Sequence, residues 1–326
     1  MKKTLSVLLA LTLCLGSCFA LAACSGKDSS TAKYEIGIVQ IVEHPALDAA
    51  TAGFKQAVID ELGADMVKFN YQNAQNDANT CSTIVNQFVS DNVDLIMANA
   101  TPALQAAAAA TGDIPILGTS VTEYGVALDL SDFNGTVGGN ISGTSDLAPL
   151  DAQAAMIAEW FPDAQSVGLL YCSKEANSKY QVDVMKAELE AKGLTVSMHP
   201  FSDSNDLAQS CATAAANCDV IYVPTDNTAA ENTGIIDNIC SAEKVPVIAG
   251  EAGICKGCGI ATLSIDYYDL GYTTGKMAVQ ILRDGADIST MPIGYAENAT
   301  PQYNQRICDA LGITEIPAGY TALDND

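Results

Sequence analysis

The stretch IGIVQIVEHPALDAA, residues 36 to 50, decides how this chain is read. Ile36, Ile38, Val39 and Ile41 make a short apolar run of the kind that becomes a buried strand, and it stops abruptly at Glu43, His44 and Pro45. A segment with helical spacing follows at 47–62. Polar groups between a buried strand and a helix are either turn chemistry or a site, and the rest of the chain decides between them.

The same alternation continues. Strand-like runs fall at 34–41, 66–71, 94–98 and 114–118, with helical segments at 47–62, 77–91 and 102–111 between them. Asp77 stands where an N-cap belongs, and Pro102 suits a first helical turn. Short apolar runs separated by such helices indicate βαβ units and a parallel sheet. The pattern then restarts: helix 147–160, strand 166–171, helix 177–192, strand 194–199, helix 204–216, strand 219–223, helix 230–242, strands 245–249 and 260–265, and a long helix 267–283. The fold class is therefore α/β, with two doubly wound, Rossmann-like lobes in tandem. Ligands of open α/β sheets bind outside the carboxyl ends of the strands. Polar groups gather at those ends: Gln40, Glu43 and His44, then Thr101, then Thr119 and Ser120, then Tyr171, then Thr225, Asp226 and Asn227, then Glu251. Their repetition at one topological place points to a shared cleft.

The chain ends narrow the setting. Lys2 and Lys3 precede the apolar run Leu5 to Leu15, and Leu21-Ala22-Ala23-Cys24 is a lipoprotein-type cleavage box. Residues 1–23 read as a signal peptide, Cys24 as the lipid-carrying (palmitate-type) new N-terminus, and 24–33 as a polar tether. The expected location is the outer face of the cell membrane, with the membrane as a partner through that anchor. Across the chain 39 acidic residues face 15 basic ones, a net charge of −24. Such a surface repels nucleic acid and anionic lipid, so nucleic-acid binding is excluded.

Eight of the eleven cysteines lie beyond Cys24. Cys81, Cys211 and Cys240 fall in helical stretches, where cysteine serves as a small apolar residue. Cys255-Lys256-Gly257-Cys258 is the close pair, read as unpaired or locally bridged thiols, with metal or redox chemistry as alternatives. Zinc needs two more ligands, and the two histidines, His44 and His199, stand far apart in sequence. No metal and no cofactor are expected.

Several motifs then match one family. IVQIVEHPALDAATAGF, NATPALQAA, IPILGTSVT, GGNISGTSD, GLLYCSKEANSKYQ, YVPTDN and ATLSIDYYDLGYTTGKMAVQIL resemble the solute-binding lipoproteins of ABC importers. The similarity is greatest to type I periplasmic binding proteins whose characterised members bind aromatic amino acids, tryptophan above all. It covers about residues 34–315. It implies a hinge crossed three times, with 34–147 plus 266–288 as the first lobe and 148–265 plus 289–326 as the second. Two departures stand out: the cysteines of EAGICKGCGIATL, expected in a loop, and the lack of Asp-Pro after the threonine of LGTSVTEYGVAL.

The resemblance implies a small solute, an amino acid with an aromatic side chain favoured, and it assigns roles to the strand-end residues. Thr101 at a helix start, with Thr119 and Ser120, suits a carboxylate, although Thr101 could simply cap its helix. Asp226 with Asn227 suits an ammonium, or else Asp226 caps the helix beginning near 229. Glu251 and Asp266 reach the ligand or cap turns. His44 donates to the ligand or covers it, while Gln40 and Glu43 contact the ligand or the facing lobe. Tyr171 and Tyr267 stack on a ring, and Asn177 and Ser178 donate from a helix start, with Thr225 nearby. The implied partners are an ABC permease and its ATPase subunit, which must be a separate chain because no G-x-x-x-x-G-K-[ST] occurs here. Hydrolase, kinase and zinc-protease motifs are absent too, so the chain is expected to bind rather than catalyse, with a lipid-anchored sensor as the alternative.

Overall fold

The computed structural model describes residues 32–296 and 298–324; the leader and Cys24 lie outside them. The first half runs β1 (Tyr34–Gln40), α1 (Pro45–Leu62), β2 (Val67–Asn73), α2 (Ala78–Asp91), β3 (Leu95–Asn99), α3 (Thr101–Ala110), β4 (Ile116–Val121), α4 (Tyr124–Ala127) and β5 (Ile141–Ser145). The second half runs α5 (Leu150–Trp160), β6 (Ser166–Cys172), α6 (Ala176–Ala191), β7 (Thr195–Phe201), α7 (Ser204–Asn217), β8 (Val220–Val223), α8 (Asn227–Glu231), α9 (Thr233–Glu243), β9 (Val247–Ala249), α10 (Ala252–Cys258) and β10 (Ala261–Ile265). The chain finishes with α11 (Tyr267–Leu282), β11 (Gly294–Tyr295), β12 (Ala299–Tyr303), α12 (Gln305–Leu311) and β13 (Thr321–Ala322).

The strands form two sheets, ordered β2-β1-β3-β4-β5-β11 and β7-β6-β8-β9-β10-β12-β13. The first is parallel throughout; in the second, β12 runs antiparallel to β10. The strand order reverses beside β1 in one sheet and beside β6 in the other, which opens a crevice at the carboxyl ends of each. Every residue of β3, β4, β8 and β9 is buried, as strands covered on both faces by helices must be. Local chemistry starts the helices: Asp77 accepts from the Thr80 N–H at α2, and Asp203 with Asp206 forms a capping box at α7.

The chain passes between the sheets three times, after β5, after β10 and after β11. Ala148, Ile265 and Tyr267, and Ala296 with Ala299, come from those three crossings and share one apolar cluster with Ala46, Ala50 and Leu270. α11 returns to the first lobe and packs on α1. Glycine makes the contact possible: a Cβ on Gly53 would overlap the Tyr268 carbonyl oxygen, and one on Gly271 the Ala50 carbonyl oxygen.

Three sequence expectations change. The third crossing does not come at 288: Gly294 and Tyr295 pair with Thr144 and Ser145 of β5, and Ser142 Oγ donates to the Met291 carbonyl at 2.9 Å, so the first sheet holds the chain to 295. The helix expected at 230–242 is two, α8 and α9, broken at Asn232. Cys255 and Cys258 sit in α10 rather than in a loop, because Glu251 caps that turn by accepting from the Gly253 and Ile254 N–H groups. All eight cysteines among the described residues are free and buried.

Candidate functional site

At the two strand reversals the lobes touch. His44 Nε2 lies 3.4 Å from Asn227 Oδ1, and Asn76 Nδ2 donates to Thr228 Oγ1 at 3.0 Å. Between them is a cavity of about 20 Å³, walled by His44, Ser120 and Asp146 from one lobe and by Asn177, Thr225, Asp226 and Asn227 from the other, with Tyr267 closing one side.

Local backbone explains several of these positions. β4 shifts register against β5 between Gly118 and Val121, and Ser120 has φ +53°, so the bulge turns Ser120 toward the cavity while its neighbour Thr119 turns inward. Thr119 Oγ1 instead shares a hydroxyl network with Thr144 at 3.2 Å and Thr274 at 3.1 Å. His44 stands at the N-cap position of α1, in extended conformation.

The side chains around the cavity are short of partners. His44 Nδ1, Ser120 Oγ, Asp146 Oδ1 and Asn177 Oδ1 are buried without a hydrogen bond among the described residues, as is Thr101 Oγ1 at the start of α3. An unsatisfied buried polar group costs about 1–3 kcal/mol. Four on one small cavity are the mark of a recognition site.

Its charge is one-sided. Asp146 is fully buried, and burial raises its pKa against the opposing effect of bonds from Tyr267 and Thr122. Tyr267 OH donates to Asp146 Oδ2 at 2.9 Å. Asp226 is pushed up to about 8 by burial and by the nearby Glu175, partly offset by the Cys172 and Ala229 N–H groups and Ser178. Glu175 is buried and accepts from Asn227 N at 2.9 Å and Nδ2 at 2.7 Å, and from Thr228 N at 2.9 Å and Oγ1 at 2.8 Å. His44 is held down at about 4 by burial, against smaller opposing effects of Asn227 and Glu175, so its imidazole is neutral. Among the described residues no lysine or arginine lines the cavity. Buried carboxyl groups with no cation beside them favour a positively charged guest.

Of the expected site residues, His44, Ser120, Asn177, Thr225, Asp226, Asn227 and Tyr267 meet at this cavity. Others do not. Both ends of the Gln40 amide are occupied within the first lobe, donating to Val42 O and Asp48 Oδ1 and accepting from Thr51 Oγ1 and Asn99 Nδ2. Glu43 is exposed and accepts from Tyr71 OH at 3.3 Å. Thr119 is tied into its hydroxyl network, and Tyr171 is packed in the core of the second lobe. Ser178 is buried behind the wall and steadies Asp226. Asp226 itself caps α8, with Oδ1 accepting from Ala229 N at 2.8 Å and Oδ2 from Cys172 N at 2.6 Å. Glu251 and Asp266 line a separate cavity of about 250 Å³ that also meets Tyr267.

Sequence reasoning missed Asp146 and Glu175. Asp146 ends GGNISGTSD, a stretch with one large apolar residue and so no visible strand; Glu175 precedes the α6 start that was read for Asn177 and Ser178. Among the described residues no group of three or more His, Cys, Asp or Glu side chains is placed to hold a metal ion, and no helix is long and apolar enough to cross a membrane.

Comparison with known proteins agrees with this geometry. The sequence model of a family described as ABC transporter substrate binding protein matches residues 35–317. A tyrosine-binding protein of Clostridioides difficile (strain R20291) is 35% identical over 333 residues, covering 97% of this chain and 94% of that protein. An ABC domain from Streptococcus pneumonia, solved in complex with L-Trp, overlays with a TM-score of 0.84 at 33% identity, over 89% of this chain and 100% of that one. The ligand-free, open structure of a Clostridium difficile substrate binding protein with adhesive properties is 38% identical over 90% of this chain and all of that one, yet reaches a TM-score of only 0.69.

Proposed function

Since the chain belongs to the ABC transporter substrate-binding protein family, we propose that it is the extracytoplasmic receptor of an importer, taking an aromatic amino acid between its lobes and delivering it to a membrane permease driven by a separate ATPase subunit. The observation that carries this reading is the convergence of four partnerless polar atoms and a cation-free set of buried carboxyls on one interlobe cavity. An amino acid brings the matching groups. Its ammonium faces Asp146, whose Oδ1 is free, rather than Asp226, whose two oxygens already accept backbone N–H groups. Its carboxylate faces Ser120, whose hydroxyl lines the cavity without a partner, whereas Thr101, also partnerless, does not line it. The ligand is held and released, not transformed: Ser120 shares the cavity with His44, but among the described residues no hydrogen bond joins them, as activation of a hydroxyl by a base would need. Hinge closure across three chain crossings sequesters the guest. Cys24 supplies the lipid tether that keeps the receptor near its permease.

Thermal melting against a panel of amino acids tests this reading. A ligand at about 100 times its dissociation constant adds about 2.7 kcal/mol of stability, a clear shift. Tyrosine or tryptophan should give it, and mass spectrometry should recover the ligand unchanged. No shift with any amino acid, or conversion of the ligand, overturns the proposal.

A further inference from the structure

The polar cavity leaves one part of such a ligand without a place. About 20 Å³ holds roughly one water-sized group, so an aromatic ring has no place in it. A second cavity of about 250 Å³ lies against it, and Tyr267 is the residue the two share. Together they approach the lower end, about 300 Å³, of pockets that take small organic ligands.

We propose that this second cavity is the side-chain subsite, that it takes a flat ring carrying a hydrogen-bond donor, and that Tyr267 and Ala49 determine its specificity; the proposal rests on the amino-acid reading above. One wall is the first turn of α1, where Ala46 and Ala49 present only methyl groups. Any larger residue there would occupy the ring's space. The ring of Tyr267 is nearly buried, and its hydroxyl is anchored on Asp146, so it stands as a partition between head and side chain while tying the two subsites together. Tyr268, 40% exposed, borders the outer end and offers a face for stacking. The lining also includes residues that carry acceptors: Glu251 and Asp266 with their carboxyl groups and Gln302 with its amide. Glu251 accepts two backbone N–H groups, and each carboxylate oxygen has a further lone pair to offer. A phenol O–H or an indole N–H finds an acceptor there; a phenyl ring does not. Tyr267 also explains how occupancy of one subsite is felt in the other, because moving its ring to join the two cavities breaks its bond to the carboxyl group that faces the ammonium.

Titration calorimetry with tyrosine, tryptophan and phenylalanine tests the proposal on the whole chain and on Ala49→Phe. The wild type should hold tyrosine or tryptophan at least tenfold tighter than phenylalanine. Ala49→Phe should weaken the preferred ligand at least tenfold with its unliganded melting curve unchanged. Gln302→Trp fills the same space from the other lobe and serves if Ala49→Phe fails to fold. A wild type that binds tyrosine or tryptophan while either folded filler binds as tightly overturns the side-chain subsite and leaves the amino-acid reading standing. Equal affinity for phenylalanine removes the donor requirement. A wild type that binds no amino acid overturns both.

Discussion

Asp146→Asn should move binding and stability in opposite directions. Asp146 is fully buried, one oxygen accepts from Tyr267 at 2.9 Å, the other has no partner, and no cationic side chain lines the cavity. Its pKa is raised, so ionising it inside the unliganded protein is unfavourable. The amide has nearly the same shape and keeps an oxygen for Tyr267, while the buried charge is gone. Unliganded stability at neutral pH should therefore hold or rise, by an amount on the order of 1 kcal/mol. Binding should suffer, because the ammonium loses its one free carboxylate oxygen. Removing one partner of a buried, hydrogen-bonded charge pair costs about 2–5 kcal/mol, roughly 30-fold to several-thousand-fold in the dissociation constant. Calorimetry with tyrosine and tryptophan, paired with melting of the unliganded protein, reads both signs. A residue that only supports the fold would lose stability and binding together. Affinity within threefold of wild type, or a melting point several degrees lower, refutes the reasoning.

Other perturbations report on the frame around the site. Burial holds Glu251 up to about 7 from an ordinary 4.5, so the folded protein keeps a proton that the unfolded chain gives up. That contribution is fully present below about 4.5 and is lost as pH rises through 7, so wild type should lose up to about 3 kcal/mol relative to Glu251→Gln across that window in urea unfolding. Parallel curves for the two proteins would contradict it. Gly271→Ala should cost about 3 kcal/mol or more, since its Cβ meets the Ala50 carbonyl on α1 and backbone cannot yield as a side chain can; a loss under 1 kcal/mol in chemical denaturation would mean that the two helices separate freely. The eight thiols between residues 32 and 324 should resist a thiol reagent in the native protein and react after unfolding, and any that reacts at once with folded protein would contradict its burial.

What the sequence determined by itself was the alternation of elements, and with it the strand ends where a site had to lie. Runs such as LIMA, residues 95–98, and VIYV are apolar throughout because parallel strands between helix layers are buried on both faces, and that signal needs no partner to be read. β5 escaped it. ISGTS has one large apolar residue, and its hydroxyls are acceptable inside because each finds a partner elsewhere in the chain: Thr144 bonds to Thr119 and Thr274, Ser142 donates to the Met291 carbonyl and Ser145 to the Thr122 carbonyl. Asp146, at the end of that strand, was hidden with it. The tertiary structure alone decided which side chain at each strand end faces the cleft. Thr119 and Ser120 are adjacent and chemically alike, yet a one-residue bulge turns one to the interior and the other to the cavity. Gln40, although polar at a strand end, is consumed by partners at Asp48, Thr51 and Asn99. Which carboxyl is left short of partners is likewise a tertiary matter: Asp226 spends both oxygens on backbone N–H groups of its own lobe, whereas Asp146 keeps one without a partner.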